Sequence, residues 1–179
     1  MDIHTALSEG SKILKEESIL TADLDSEILM AKALNRDRKY ILLNSLQKIS
    51  DKDLNVYKKL ISKRSLRKPV AQLINKKFFW NSEFIVTSDT LIPRPDTELI
   101  VENLLNLTKN KSKLSILDIG VGSGCILLSI LQQRKDFYGT GLDLSKNCLK
   151  ITYKNAINLN IHSRLKLFNS NVDKFAFGK

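Results

Sequence analysis

Over the first 68 residues, apolar positions recur at helical spacing and nowhere alternate as they would in a strand. Leu7 and Leu14 share one face with Ala6, Gly10 and Ile13 beside it, and Leu24, Ile28, Ala31 and Leu34 repeat three or four residues apart. Helix starts are expected at Asp23, at Asp37 ahead of RKYILL, and at Ser50, where Asp53 supplies a capping-box acid three residues on. The last of these helices runs through Leu54, Tyr57 and Ile61 toward Arg64, and Pro69 stops it. Residues 1–72 therefore read as a small helical bundle. It holds no His, Cys or acid pair at ligand spacing, which favours a binding or orienting role over catalysis.

The pattern then changes. Phe78, Phe79 and Trp80 form one β-prone run and Phe84, Ile85 and Val86 another, with Asn81, Ser82 and Glu83 between them, so a hairpin is expected. LIPRPDTE (Leu91–Glu98) contains two of the chain's three prolines and excludes regular structure before Asp96, the expected N-cap of a helix whose face is Ile100, Leu104 and Leu107. Residues 73–95 thus read as a hairpin and proline-rich linker. Arg94, held between Pro93 and Pro95, fits a surface residue and a residue beside a ligand equally well.

From Leu114 onward strand and helix patterns alternate: strand Ser115–Ile119, helix Gly124–Gln133, strand Tyr138–Leu142, helix Lys146–Asn158, strand Leu165–Phe168. Two βαβ units sharing a strand make the start of a doubly wound parallel sheet, an α/β fold that three strands do not complete. The stretch LSILDIGVGSGC joins the first strand to its helix through Gly120, Gly122 and Gly124. Glycines in such a turn admit positive φ and let the backbone approach a ligand. The dinucleotide pattern G-x-G-x-x-G fails, because Cys125 stands where its third glycine belongs. Nineteen residues past Gly124, at the end of the next strand, Asp143 is placed to accept hydrogen bonds from a ribose diol. Ribose recognition follows, with no requirement for pyrophosphate.

Composition changes this picture little. The chain has 179 residues, 42% hydrophobic and 27% charged, enough for one domain or two small ones. No apolar run approaches the roughly 20 residues that span a bilayer, and no signal-peptide pattern opens the chain, so a cytoplasmic location and no membrane partner are expected. Cys125 and Cys148 lie on expected helices without metal-ligand spacing; neither looks catalytic and no metal is expected. The net charge of +10 is spread over both halves. One cluster stands out, Lys58, Lys59, Lys63, Arg64, Arg67 and Lys68 with no acid among them, and a solvated helix face is favoured over a nucleic-acid contact.

KPVAQLINKKFFW, LIPRPDTELIVE, LDIGVGSGCI and GLDLS, in this order behind a helical N-terminal segment, resemble the HemK/PrmC family. These are class I, Rossmann-like S-adenosylmethionine-dependent methyltransferases that modify the side-chain nitrogen of a glutamine in peptide chain release factors. The resemblance implies S-adenosylmethionine as cofactor, release factors as partners and a substrate-recognising role for residues 1–72, with residues 96–179 as the N-terminal part of a methyltransferase domain. It places Gly120, Val121, Gly122, Ser123 and Gly124 around the methionine part of the cofactor and Asp143 on the ribose. Asn171 and Val172 fall where the family often has Asp-Trp beside the adenine. Asn75 stands in place of a usual glycine, a mild change because Asn tolerates the left-handed region.

The family's Asn-Pro-Pro-Tyr, which orients the glutamine amide, has no counterpart here, and the tail VDKFAFGK looks like the approach to that strand cut short. No catalytic residue is therefore assigned, and the expectation is a truncated chain inactive by itself. The alternatives are a non-catalytic fragment that binds a release factor or joins a separately encoded C-terminal half, and an adenine N6 methyltransferase of DNA or RNA, against which LIPRPDTE and the helical segment argue.

Overall fold

The computed structural model describes residues 1–174, and the chain divides into two compact units, one ending at Ile74 and the other beginning at Asn75. The first is built from α1 (Ile3–Glu16), α2 (Ala22–Leu34), α3 (Arg38–Leu43), α4 (Asp51–Ser65) and α5 (Val70–Ile74). Asp37 and Ser50 cap as the sequence predicts, accepting from the N–H groups of Tyr40 at 2.7 Å and Asp53 at 3.1 Å. Asp23 does not start a helix: α2 begins at Ala22, and Asp23 turns outward to Ser11 and to Lys15, 2.8 Å away. Pro69 opens α5 as well as following α4, its carbonyl accepting from the N–H groups of Gln72 and Leu73 at 3.1 and 3.2 Å. That is the helix end a proline tolerates.

α2 is the central helix, packed against the other four. Its buried face is Ala22, Asp25, Ser26, Leu29, Met30 and Ala31, while Leu24, on the expected apolar face, is 42% exposed. The displacement follows from polar groups that are satisfied inside. Ser26 Oγ donates to the Leu7 carbonyl at 3.1 Å and lies 2.5 Å from Tyr57 Oη, and Asp25 Oδ2 accepts from Arg64 Nε at 2.8 Å. Once paired, these residues lose most of the cost of leaving water, so an apolar pattern alone cannot find the face. Arg64 is thereby drawn out of the basic cluster into the fold, leaving Lys58, Lys59, Lys63, Lys68 and Arg67 exposed, the last tethered to the Glu17 carbonyl at 2.8 Å.

The second unit opens on Asn75, whose φ of +58° lies in the left-handed region that Asn tolerates. β1 (Lys76–Phe79) and β2 (Ser82–Ile85) pair antiparallel, with Phe79 opposite Ser82, around the two-residue turn Trp80–Asn81. The strands are thus shifted from the expected runs, taking in Ser82 and Glu83 and leaving out Trp80. The hairpin also belongs to this unit and is no free linker: Phe79 and Phe84 are fully buried in its core, packed edge-to-face with centroids 6.2 Å apart. Trp80 takes φ +54°, donates its N–H to Glu98 Oε1 at 2.7 Å, and buries an indole N–H that finds no partner among the described residues.

A short 3-10 turn (Pro95–Thr97) carrying Asp96 precedes α6 (Glu98–Leu107), so Thr97 and not Asp96 is the cap residue. α6 buries Val101 with Leu104 and Leu105 packed beside it, while Ile100 and Leu107 are 51% and 79% exposed. Two helical stripes share Leu104, and packing against α7 (Cys125–Gln133) decides between them. β3 (Ser115–Ile119), β4 (Tyr138–Asp143) and β5 (Leu165–Asn169) form a parallel sheet in the order β3-β4-β5, and α8 (Lys146–Asn158) links the last two. These bounds lie within a residue of those the sequence predicts. Of the tail VDKFAFGK, residues 172–174 form a 3-10 turn and residues 175–179 lie outside the described residues. No helix among the described residues is long and apolar enough to cross a membrane.

The polar core of the first unit is testable by pH. Burial pushes the Tyr57 hydroxyl up to about 12 from the usual 10.0, the Ser26 hydrogen bond pulling the other way and the charge of Glu9 adding to the rise. The folded form therefore keeps a proton the unfolded chain gives up, and this contribution to stability, whole below about pH 10, is lost as pH rises toward about 12. Urea unfolding followed by circular dichroism should show that fall in the wild type and a flatter profile in Tyr57→Phe. Parallel profiles would mean that the hydroxyl ionises in place.

Candidate functional site

The carboxyl ends of β3, β4 and β5 carry the glycine turn and Asp143 on one edge of the sheet, where open α/β sheets bind ligands. Gly120, Gly122 and Gly124 take φ of +80°, +56° and +81°, so all three need the freedom that glycine supplies. The N–H groups of Gly120 and Val121 both donate to the Leu142 carbonyl, at 2.9 and 3.0 Å, which ties the turn after β3 to the end of β4. The Gly122 N–H donates to Asp143 Oδ2 at 2.9 Å, the Ser145 N–H to Asp143 Oδ1 at 2.8 Å, and the Gly124 N–H to the Val121 carbonyl at 2.8 Å. Asp143 thus joins two loops with one oxygen each, and each oxygen keeps acceptor capacity for a hydroxyl.

The glycines divide by what lies beside them. A Cβ on Gly120 would meet nothing within 4 Å and one on Gly122 only the Gly120 carbonyl at 3.8 Å, so these two leave open space for a ligand. A Cβ on Gly124 would come 2.8 Å from Thr152 Cγ2 and 2.9 Å from Leu128 Cδ1; its smallness serves packing. Val121 and Ser123 are buried and can offer a ligand little beyond backbone. Asn171 and Val172 follow β5 on the same edge, both exposed, with Asn171 Oδ1 accepting from the Asp173 N–H at 3.3 Å. Asn169, opposite Asp143 in the sheet, donates to the Asp143 and Leu144 carbonyls at 3.0 and 2.8 Å and fixes β5 against that loop.

Electrostatics sharpen the choice of ligand. Asp118, near the end of β3, has its carboxyl pushed above the usual range, chiefly by burial and also by the charge of Asp143, against a hydrogen bond from the Leu127 N–H. That contact sets a carboxyl at the amino end of α7, where a bound phosphate would otherwise sit. With the N–H groups of Gly120, Val121, Gly122 and Gly124 also engaged internally and two carboxyl groups beside it, the turn is poorly suited to pyrophosphate. Two acids beside open space suit a ligand that offers hydroxyls and positive charge.

Sequence reasoning missed the groups behind the turn. Thr152 Oγ1 donates to the Gly122 carbonyl at 2.8 Å, and Asn155 Nδ2 donates to the Ser123 carbonyl at 2.8 Å. Both are fully buried on α8 with Cys148, Ile151 and Ala156, and a Thr and an Asn three residues apart on an otherwise apolar helix face were the available signal. Both thiols are raised by burial, which lowers their share of reactive thiolate, and Cys148 Sγ donates to the Asp89 carbonyl at 3.0 Å. Arg94 is exposed, its carbonyl accepting from the Thr97 N–H at 3.1 Å.

Residues 5–74 match the model of the PrmC N-terminal domain. A release factor glutamine methyltransferase of Leptospira interrogans is 40% identical over 158 residues, covering 88% of this chain and 55% of that protein. Proteins of the same name from Buchnera aphidicola and Caulobacter vibrioides are 38% and 32% identical, covering 87% and 86% of this chain and 56% and 53% of their own. The chain spans about half the length of the curated relatives it matches. Among solved structures, a SAM-dependent methyltransferase of Geobacter sulfurreducens in complex with S-adenosyl-L-homocysteine is 21% identical over 46% of this chain and 31% of its own, with a TM-score of 0.39, a likeness too partial to bear on the ligand.

Gly120 and Gly124 share nearly the same φ, +80° and +81°, and differ in what a side chain would meet, which makes them an informative pair. Gly120→Ala should cost the left-handed strain alone, about 1–2 kcal/mol. Gly124→Ala should add overpacking against Thr152 and Leu128, about 1–3 kcal/mol more. Equal losses on chemical unfolding would show that α7 and α8 accommodate a methyl group at no cost.

Proposed function

The chain belongs to the HemK/PrmC family, and on that premise we propose that these residues serve S-adenosylmethionine-dependent methylation of a glutamine side-chain nitrogen in peptide chain release factors. The observation that carries the reading is the turn itself: two glycines with open space in front of them, closed by an aspartate with acceptor capacity to spare and unsuited to phosphate. Gly120 and Gly122 would let the methionine part of the cofactor approach the backbone, Asp143 would accept from the ribose hydroxyls, and the negative charge around Asp118 and Asp143 would favour the cationic form of the donor over its neutral product. Asn171 and Val172 would lie beside the adenine. Residues 1–74 would carry recognition of the release factor.

When bound, the cofactor supplies a methyl group on a positively charged sulfur. Gly120, Gly122 and Asp143 would hold that donor, which in giving its methyl group to an amide nitrogen would be left a neutral thioether while the nitrogen loses one proton. What the protein contributes is position: reacting atoms held in line at roughly 3–3.5 Å can account for about 7–11 kcal/mol of barrier. The resemblance assigns the amide's alignment to an Asn-Pro-Pro-Tyr, and the prolines of these 179 residues are Pro69, Pro93 and Pro95, none of them in such a motif. Cofactor binding and methyl transfer are therefore expected to separate.

Calorimetry with S-adenosylhomocysteine should show binding by the wild type, none by Gly122→Val, whose β-branched residue is strained at φ +56°, and weakened binding by Asp143→Ala, by roughly 1.5–3 kcal/mol. Equal binding by wild type and Gly122→Val would refute the assignment. With a release factor and labelled S-adenosylmethionine, label should reach the glutamine only when a polypeptide carrying a relative's Asn-Pro-Pro-Tyr strands is added. Label transferred by the chain alone would overturn the division of labour.

A further inference from the structure

We propose that Asn155 is a positioning residue that couples the β1–β2 hairpin to the ligand turn, so that the hairpin's seating sets the affinity of the site. The proposal rests on the reading of that turn as the methyl-donor site, and its test separates the two.

Asn155 is 1% exposed, and its amide is fully committed to backbone remote in sequence. Oδ1 accepts from the Ile85 N–H at 2.7 Å, and Nδ2 donates to the Ile85 carbonyl at 3.0 Å and to the Ser123 carbonyl at 2.8 Å. Toward Ile85 the side chain behaves like one residue of a neighbouring strand, pairing both backbone groups of the last residue of β2. Its remaining donor holds the turn. One helical turn earlier, Thr152 Oγ1 holds the adjacent carbonyl of Gly122, so α8 fixes two successive peptide groups from behind while Asp143 takes the Gly122 N–H from the other strand. The orientation of the peptides around Gly122, the residue with open space before it, is thus set jointly by β4 and by the helix that grips the hairpin.

The arrangement does more than fill space. A leucine there would pack as well without the cost of burying an amide, a cost that is recovered only when every polar atom is paired. Here each polar atom is paired, and the partners lie on the turn and on β2, not on α8 itself. The hairpin in turn is anchored at its tip, Trp80 to Glu98 and Ser82 Oγ to Gln132 Oε1 at 2.8 Å. Movement of the hairpin is therefore transmitted through Asn155 to Ser123.

The test compares wild type, Asn155→Leu, the near-isosteric Asn155→Asp, which keeps the acceptor for the Ile85 N–H and sets an oxygen against the two carbonyls that Nδ2 had held, and Arg164→Met. The last loses bonds to the Leu131, Arg134 and Phe137 carbonyls near the start of β5, at the end of the sheet away from the turn, and serves as a destabilised control. Two quantities are read below the unfolding transition of every variant: the Kd for S-adenosylhomocysteine, and amide hydrogen exchange at Gly122, Gly124 and Ile85 without ligand. Both Asn155 variants should weaken binding about tenfold or more and speed exchange at Gly122 and Gly124, with Ile85 also exposed in Asn155→Leu. Arg164→Met should leave both quantities unchanged despite its lower stability. Wild-type affinity and exchange in a folded Asn155 variant, or equal effects in Arg164→Met, would overturn the proposal. Should the wild type fail to bind S-adenosylhomocysteine, the methyl-donor reading falls and the exchange data alone decide the coupling.

Discussion

The site of the second unit depends on one carboxylate. Asp143 ends β4, and its two oxygens hold the Gly122 N–H of the preceding loop and the Ser145 N–H that leads into α8. The neighbouring Leu142 carbonyl takes two more N–H groups from the same turn. A turn with three left-handed residues has little intrinsic reason to hold a single shape, and here the end of a buried strand imposes one. On the proposed function, the residue that maintains the architecture is also the one that would meet the ligand, and its two roles would share one charge.

Both units place polar groups where apolar ones would seem to belong. In α2, Asp25 and Ser26 lie inside, bound to Arg64, Tyr57 and the Leu7 carbonyl; in α8, Thr152 and Asn155 lie inside, bound to the backbone of the turn and hairpin. Apolar contacts have no direction, whereas a satisfied hydrogen bond specifies which atom faces which. These pairs fix the rotation of the two central helices, a task the leucines around them leave open.

The same groups mark where the sequence stopped being legible. The strands of the sheet, their helices and the glycine turn could be read to within a residue, because each is announced by local chemistry: a change of hydrophobic period or a run of glycines. The faces of α2 and α6 could not. Leu24, Ile100 and Leu107 look like core residues to any apolar count, and they are exposed because α2 is turned by the pairing of Ser26 and Asp25 with Tyr57 and Arg64, and α6 by its packing against α7, partners far away in the chain. Asn155 was only half announced: a Thr and an Asn three residues apart on an apolar helix face mark the pair, but its partner Ile85 is 70 residues distant. Pro69, read as a stop, also starts α5, since a proline's missing N–H costs nothing in a first turn.

Trp80, the chain's one tryptophan, sits at the tip of the hairpin with its ring partly covered and its backbone pinned to Glu98. Its emission is consequently a private optical signal of the second unit: it reports on the segment that Asn155 ties to the ligand turn, while the helical first unit contributes tyrosines alone. A single untreated sample thus carries two separable colours, indole light for the seating of the hairpin and far-ultraviolet ellipticity dominated by the helices.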